Sequence, residues 1–201
     1  MPDQNACGRC GHPLKSYESI SVANVGLRCN RCFNDETAAM MGVDFDNTPL
    51  QPVTIADADG VDHTFEFRSM LVPTGHALSA RERVAEEQEG YEFSVLGDFD
   101  DNAWDLFKKL YDRITDGLAV RHVEQGEFGW RITDARHLIG RITWDPDRGG
   151  DVPLLVIDGR SFSWDEIGRM LMSFEGFTLR AFIDDSIEVV GGPLLENEEK
   201  A

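Results

Sequence analysis

The chain has 201 residues, of which 37 are acidic and 19 basic, for a formal charge of −18. That length holds one domain of ordinary size, or a small module plus a larger one. A body this acidic repels a phosphate backbone, because affinity for nucleic acid comes largely from cations that displace counterions. No run of about eighteen apolar residues occurs, which excludes a helical membrane span.

The charge is uneven. Over residues 1–34, Arg9, Lys15, Arg28 and Arg31 oppose Asp3 and Glu18, a balance of +2 that leaves −20 for the rest. Any nucleic-acid contact is therefore confined to the amino-terminal stretch. Residues 1–20 have no hydrophobic segment behind a basic start, so no secretory signal is expected.

All four cysteines fall in two pairs, Cys7-Gly-Arg-Cys10 and Cys29-Asn-Arg-Cys32. Each C-x-x-C can wrap one edge of a tetrahedron, and the loop between them lets the second pair return, so the spacing predicts a structural Zn2+ site with Cys7, Cys10, Cys29 and Cys32 as ligands. A redox dithiol or a disulfide pair is the alternative. Paired thiols without a signal indicate a reducing compartment, and a cytoplasmic location is expected. His12, two residues after Cys10, is a competing ligand or a neighbour of the site.

Between the pairs, Tyr17, Ile20, Val22 and Val25 alternate weakly, as in a small hairpin. After Cys32 the run Phe33–Met41 has helix-forming content and a stop at Gly42. A hairpin followed by a knuckle that opens a helix resembles a treble-clef finger. The spacing and the segment Leu27-Arg28-Cys29-Asn30-Arg31-Cys32 also resemble GATA-type fingers, whose tryptophan-and-arginine pattern and basic tail are missing here. The expected boundaries are a zinc finger at 1–42, a linker at 43–52, an α+β domain at 53–190 and a disordered acidic tail at 191–201. Chelation is expected to unfold 7–41 and to leave the part from 53 onward folded.

In the larger part, Val53–Ile55 and His63–Phe67 flank the turn Asp57-Ala-Asp-Gly60 and read as a β-hairpin, interrupted at Leu71–Gly75. Asp57-x-Asp59-Gly60-x-Asp62 lacks the glycine and glutamate positions of a calcium loop, and turn chemistry explains it. Residues 78–89 read as a charged, mostly solvated helix. Tyr91–Leu96 reads as a strand, Asp98–Asn102 as a cap, and 102–117 as an amphipathic helix carrying Trp104, Phe107, Leu110, Tyr111, Ile114 and Leu118. Strands are expected at Ala119–Val123, Trp130–Ile132, Ile139–Trp144, Leu154–Ile157, Phe177–Ile183 and Ile187–Val190, and a helix at 163–175 opened by the capping box Ser163-Trp-Asp-Glu166. Glu89-Gly-Tyr91 before one strand echoes Glu175-Gly-Phe177 before another, a possible pseudo-repeat.

The carboxyl-terminal half, from Val156-Ile-Asp-Gly-Arg160 through Ser163-Trp164 to Glu175-Gly-Phe177, is similar to uncharacterised bacterial proteins that pair an amino-terminal four-cysteine finger with an α+β domain. The resemblance implies no activity. The expected fold class is α+β: a small zinc finger joined to a domain with a mostly antiparallel sheet and two main helices on one face. Nucleophile elbows and phosphate-cradling glycine loops are absent, which weakens an enzyme reading. The function expected is a zinc-stabilised adaptor whose acidic body docks a basic or neutral protein. An enzyme using His122, His137, Asp158 or Arg160, or a finger-mediated nucleic-acid regulator, is the alternative.

Overall fold

A computed structural model describes residues 6–14, 19–47, 49–85, 88–99, 101, 103–145 and 148–185. It is mixed α+β, with three helices and four antiparallel sheets among those residues.

The finger comes first. Strands β1 (Ile20–Val22) and β2 (Gly26–Arg28) form the small hairpin, which turns through Asn24 and Gly26 at φ 62° and 90°. Helix α1 (Asn30–Met41) follows and ends where it was expected to: Gly42 adopts φ 70° and donates its N–H to Ala38 O. Only glycine takes that left-handed cap without a Cβ penalty.

Strands β3 (Val53–Ala56), β4 (Asp62–Val72), β5 (Gly75–Glu82) and β6 (Glu92–Gly97) make an antiparallel meander in chain order. Two expectations fail here. The stretch read as a helix at 78–89 opens with β5, and Leu71–Gly75 is the tight turn into it rather than a break. The charged residues of β5 sit at its end, while Leu78 and Ala80, two apart, are buried on one face. Pairing with β4 on one side and β6 on the other outweighs the local helix propensity.

Helix α2 (Ala103–Leu118) packs across β5 and β6. It buries Leu106, Leu110, Ile114 and Leu118, a straight i, i+4 row, against Ile55, Phe65, Leu78, Ala80, Tyr91 and Val95. Leu106 was missed in the expected stripe. Trp104 is instead 68 % exposed and stacks on Phe107, whose ring also meets Phe67.

The remainder builds around a second core. Hairpin β7 (Val123–Gly126) with β8 (Gly129–Ile132) is followed by a three-stranded sheet of order β11-β10-β9, with β9 Arg141–Trp144, β10 Pro153–Ile157 and β11 Arg160–Ser163. The β10–β11 turn is Asp158-Gly159, both at positive φ (48° and 71°), the geometry that suits a two-residue hairpin loop. Helix α3 (Trp164–Met172) carries the expected capping box: Ser163 Oγ accepts from Glu166 N, and the Glu166 carboxylate accepts from Ser163 N. It packs on β8, β10 and β11 and buries Ile167 and Met170 with Val123, Ile132, Ile157 and Phe162.

The single sheet with two helices on one face is therefore corrected. Several small sheets share the strands, and α2 and α3 cover different ones. The strand expected at Ala119–Val123 begins only at Val123, because Ala119 N still bonds Thr115 O at the end of α2. The strand expected at Phe177–Ile183 is absent: no helix or strand is assigned there, and the echo with Glu89-Gly-Tyr91 stops at this point. Ile187–Val190 and the tail at 191–201 lie outside the described residues.

Candidate metal centre

The first knuckle is a backbone nest. Cys7 N donates to His12 O at 2.8 Å and Gly11 N to Cys7 O at 2.8 Å, and Gly11 sits at φ 73°. Gly8 N bonds Leu27 O, which ties the knuckle to the hairpin. A Cβ on Gly8 would stand 2.8 Å from Arg28 Nη1, so only glycine lets the buried Arg28 side chain through. The second knuckle is the start of α1. Cys29 is its N-cap, and its sulfur accepts from Cys32 N at 3.4 Å.

These two turns bring all four sulfurs within 4.8 Å of one another. Cys10 and Cys29 Sγ are 3.8 Å apart. A tetrahedron of sulfurs about 2.3 Å from a central ion has edges of about 3.8 Å, whereas a disulfide is about 2.05 Å long. All four cysteines are free thiols. The donor set and its spacing fit a metal ion, and Cys7, Cys10, Cys29 and Cys32 are the residues that would hold it. His12 is exposed and outside the cluster. Burial pushes the Cys29 and Cys32 thiols up, whereas at Cys7 backbone hydrogen bonds around Cys10, Cys29 and Arg9 override burial and hold it at about 6. A cation is what allows such a cluster to ionise fully.

Two cations of the finger, Arg28 and Arg9, are spent internally. Arg28 is 8 % exposed, and its Nε is 3.0 Å from both oxygens of Glu36. Arg9 lies within 4.0 Å of Asp35 and 3.8 Å of Glu36 and donates to Cys32 O. The two carboxylates, which follow directly on residues 1–34, cancel the +2 seen there. Arg31 is exposed, and Lys15 lies outside the described residues.

The finger is also docked on the neighbouring sheet. Strand β3 pairs only with residues 62–65 of β4, so among the described residues one edge of β4 from 66 onward has no strand beside it. Asn34, fully buried in α1, supplies the missing partner. Its Nδ2 donates to Ser69 O at 2.8 Å and its Oδ1 accepts from Leu71 N at 3.0 Å. One carboxamide thus imitates the peptide of an adjacent strand. Asn30 Nδ2 adds a second bond to Ser69 O, at 2.6 Å, and Asn47 bridges Asn34 to Asp35. The sequence offers no signal for this, since an asparagine inside a helix reads as neutral.

A second polar cluster lies at the other end of the sheet. His63, placed by the sequence at the start of a strand, is clamped between Asp57 Oδ2 (3.0 Å) and Glu82 Oε1 (2.6 Å). Asp57 Oδ1 accepts from Asp59 N and Val61 N, the turn chemistry expected of it, and its other oxygen also takes Arg121. Arg121 reaches Tyr91 Oη at 3.0 Å and Asp59 at 3.0 Å. Burial alone would raise the Asp57 carboxyl; the His63 bond, the two backbone amides and Arg121 hold it at about 2. Burial likewise pulls His63 down, but its two carboxylate partners hold it above its ordinary value.

The enzyme candidates partly converge. The rings of His122 and His137 are 5.3 Å apart, and His122 Nδ1 is 2.9 Å from His137 O. Asp158 Oδ2 accepts from His122 N and Val123 N, which uses it as a backbone clasp, and Arg160 lies over the Trp130 ring. Two clefts of about 300 and 230 Å³ lie elsewhere, beside Arg136 and Phe177 and beside Asn30 and Phe67, and none of His122, His137, Asp158 and Arg160 lines either one. His76 is buried and 2.7 Å from Ser69 Oγ.

Residues 46–119 match a family described as a domain of unknown function (DUF7686), and residues 122–188 match a second one (DUF7713). The boundary between the matches falls between α2 and β7, where the first hydrophobic core gives way to the second. No curated protein and no solved structure matches the chain. No helix among the described residues is long and apolar enough to cross a membrane.

Proposed function

We propose that the chain is a zinc-stabilised protein-interaction module, an adaptor whose finger is a structural cap rather than a reaction centre. The closure of the donor set carries this reading: four sulfurs within 4.8 Å of one another occupy every corner of a tetrahedron, and a catalytic zinc keeps one corner open. The bidentate pairing of Asn34 with β4 supports it, because it gives the metal a mechanical task in the next sheet. Hairpin, knuckle and helix in that order support a treble-clef type.

Two family matches over two cores support dividing the former 53–190 body into modules at 46–119 and 122–188, with the finger belonging mechanically to the first. The charge of −20 beyond residue 34 suits a basic or neutral protein partner, and reduced thiols suit the cytoplasm. With Arg28 and Arg9 paired inside the finger, nucleic acid is the less favoured ligand.

Native mass spectrometry tests the metal: one zinc per chain is expected, lost on chelation together with the protease resistance of 7–41. A finger whose circular dichroism and protease resistance survive chelation would sink the reading. Affinity purification of the full chain from its native extract tests the adaptor role, with a stoichiometric protein partner expected and a chain that runs alone counting against it.

A further inference from the structure

A strand at the rim of a sheet carries unpaired amides and carbonyls, and folds close such edges with side chains, charges or covering segments. Among the described residues the four-stranded sheet shows two such closures. Arg113 of α2 donates to Ser94 O of β6, and that closure is made within the module. Asn34 closes the overhang of β4, and that one depends on the finger. Whatever undoes the four-cysteine cluster therefore acts on β4 as well.

The four cysteines are not equally accessible. Cys7 and Cys32 are buried, 2 % and 6 % exposed, whereas Cys29 is half-buried and Cys10 is exposed. Each of these pairs takes one residue from each knuckle. The sulfurs of the accessible pair lie 3.8 Å apart, from positions nineteen apart in the chain. A metal-held cysteine is a thiolate, the form that attacks a peroxide.

We propose that Cys10 is a peroxide-reactive site and Cys29 its resolving partner, so that a hydroperoxide expels the metal and uncovers the β4 edge. The inference rests on the structural-zinc reading above. The Cys10 thiolate attacks one oxygen of hydrogen peroxide, the O–O bond breaks, and hydroxide leaves behind a sulfenic acid. The Cys29 thiolate then attacks the Cys10 sulfur. An S–S bond forms, and the S–O bond breaks to release a second hydroxide. The two thiolates give up two electrons together, and the peroxide takes both. Cys7 and Cys32 are then the only thiolates left, too few to hold the ion.

The bridge also moves the helix that carries the closure. Cys29 is the N-cap of α1, Asn30 follows it, and Asn34 lies one turn further. Closing the sulfurs from 3.8 Å to a disulfide length of about 2.05 Å draws this helix start toward the first knuckle. Asn30 reaches Ser69 O at 2.6 Å, and Asn34 spans Ser69 O and Leu71 N at 2.8 and 3.0 Å. Hydrogen bonds of that length do not survive a shift of about 1 Å.

Hydrogen peroxide on the full, zinc-loaded chain is the test. Zinc should be released, and peptide mass mapping should find a Cys10–Cys29 bridge with Cys7 and Cys32 free to be alkylated. Amide exchange at Leu71 should quicken about tenfold or more, while the amides of β10 and β11 keep their rates. Dithiothreitol with added zinc should restore slow exchange. In Asn34→Leu, Leu71 should exchange fast from the start, and peroxide should change its rate by less than about twofold. A chain that binds no zinc sinks the structural-zinc reading and this inference together. A zinc-loaded chain that keeps its metal in peroxide overturns the inference alone. So does a bridge within one knuckle, oxidation that stops short of a disulfide, or zinc release that leaves Leu71 protected.

Discussion

The first core of this protein is larger than the second, and their margins differ as well. The region around β3–β6 and α2 is sealed by groups from outside its sheet: an asparagine from the finger, an arginine from its own helix, and a clamped histidine at the far end. The region from β7 to α3 is capped locally by its Ser163 box and its Asp158-Gly159 turn, and it leaves a strand edge and an apolar segment bare. The difference teaches where a metal held by the four cysteines would act: they are far in sequence from the sheet, and the finger they shape reaches it through one buried carboxamide.

The strongest way to break the contrast is to remove the metal. Cys32→Ser, or a chelator, should unfold 7–41 and bare the β4 edge. Apparent zinc binding to such sites is worth about 10 kcal/mol or more, and part of it, several kcal/mol, should be lost from the first core alone. Amide exchange should then quicken at Leu71 while the amides of β10 and β11 stay protected. Equal loosening of both cores would refute the contrast.

Asn34→Leu is next. It keeps the finger and the metal but leaves Leu71 N–H buried without a partner, while Ser69 C=O retains Asn30, a loss of about 1–3 kcal/mol in denaturant unfolding. Asn34→Asp tests the donor: it retains the acceptor for Leu71 but faces Ser69 O with a carboxylate, and should also destabilise. Zinc content should hold at one in both variants.

A smaller effect is expected at the seam. Gly159 is at φ 71°, and a Cβ there would lie 2.8 Å from the Tyr91 ring of the first core. Gly159→Ala should cost about 1–3 kcal/mol through backbone strain and that contact. It should do so by loosening the β10–β11 turn against Tyr91, which fluorescence of the two regions during unfolding can resolve.

The smallest effect is the pH response of the first core. His63 is held above its ordinary value, so its contribution is fully present below about pH 6.5 and fades as pH rises through its higher folded value. Asp57 is held at about 2, so its contribution is present above its ordinary 3.8 and is lost as pH falls from there toward 2. The first core should therefore be most stable on the mildly acidic side, and His63→Gln should flatten the decline toward alkaline pH. An unchanged slope in that variant would assign the decline to another group.

What the sequence disclosed was what neighbouring residues settle among themselves. The C-x-x-C spacing, the Gly42 stop, the Ser163–Glu166 box, the Asp158-Gly159 turn and most of the α2 stripe are short-range patterns, and each is present in the fold. Pairings made at long range were hidden. β5 carries Arg81 and Glu82 and has helical propensity, and only its two flanking strands make it a strand. His63 gives no hint of Glu82, nineteen positions away. Asn34 bonds residues thirty-five and thirty-seven positions downstream. The strand signal at Phe177–Ile183 is a local pattern, and no ladder forms on it among the described residues.

The carboxamide of Asn34 bears on how this protein can be divided. The DUF7686 match begins at residue 46, after the finger that covers positions 69 and 71 of its second strand. A shuffled gene that kept 46–119 and dropped the finger would inherit a sheet with a sticky side. Any architecture that reuses this module must bring its own lid for that edge, whether a different amino-terminal appendage, a longer first strand, or a proline or lysine near Leu71.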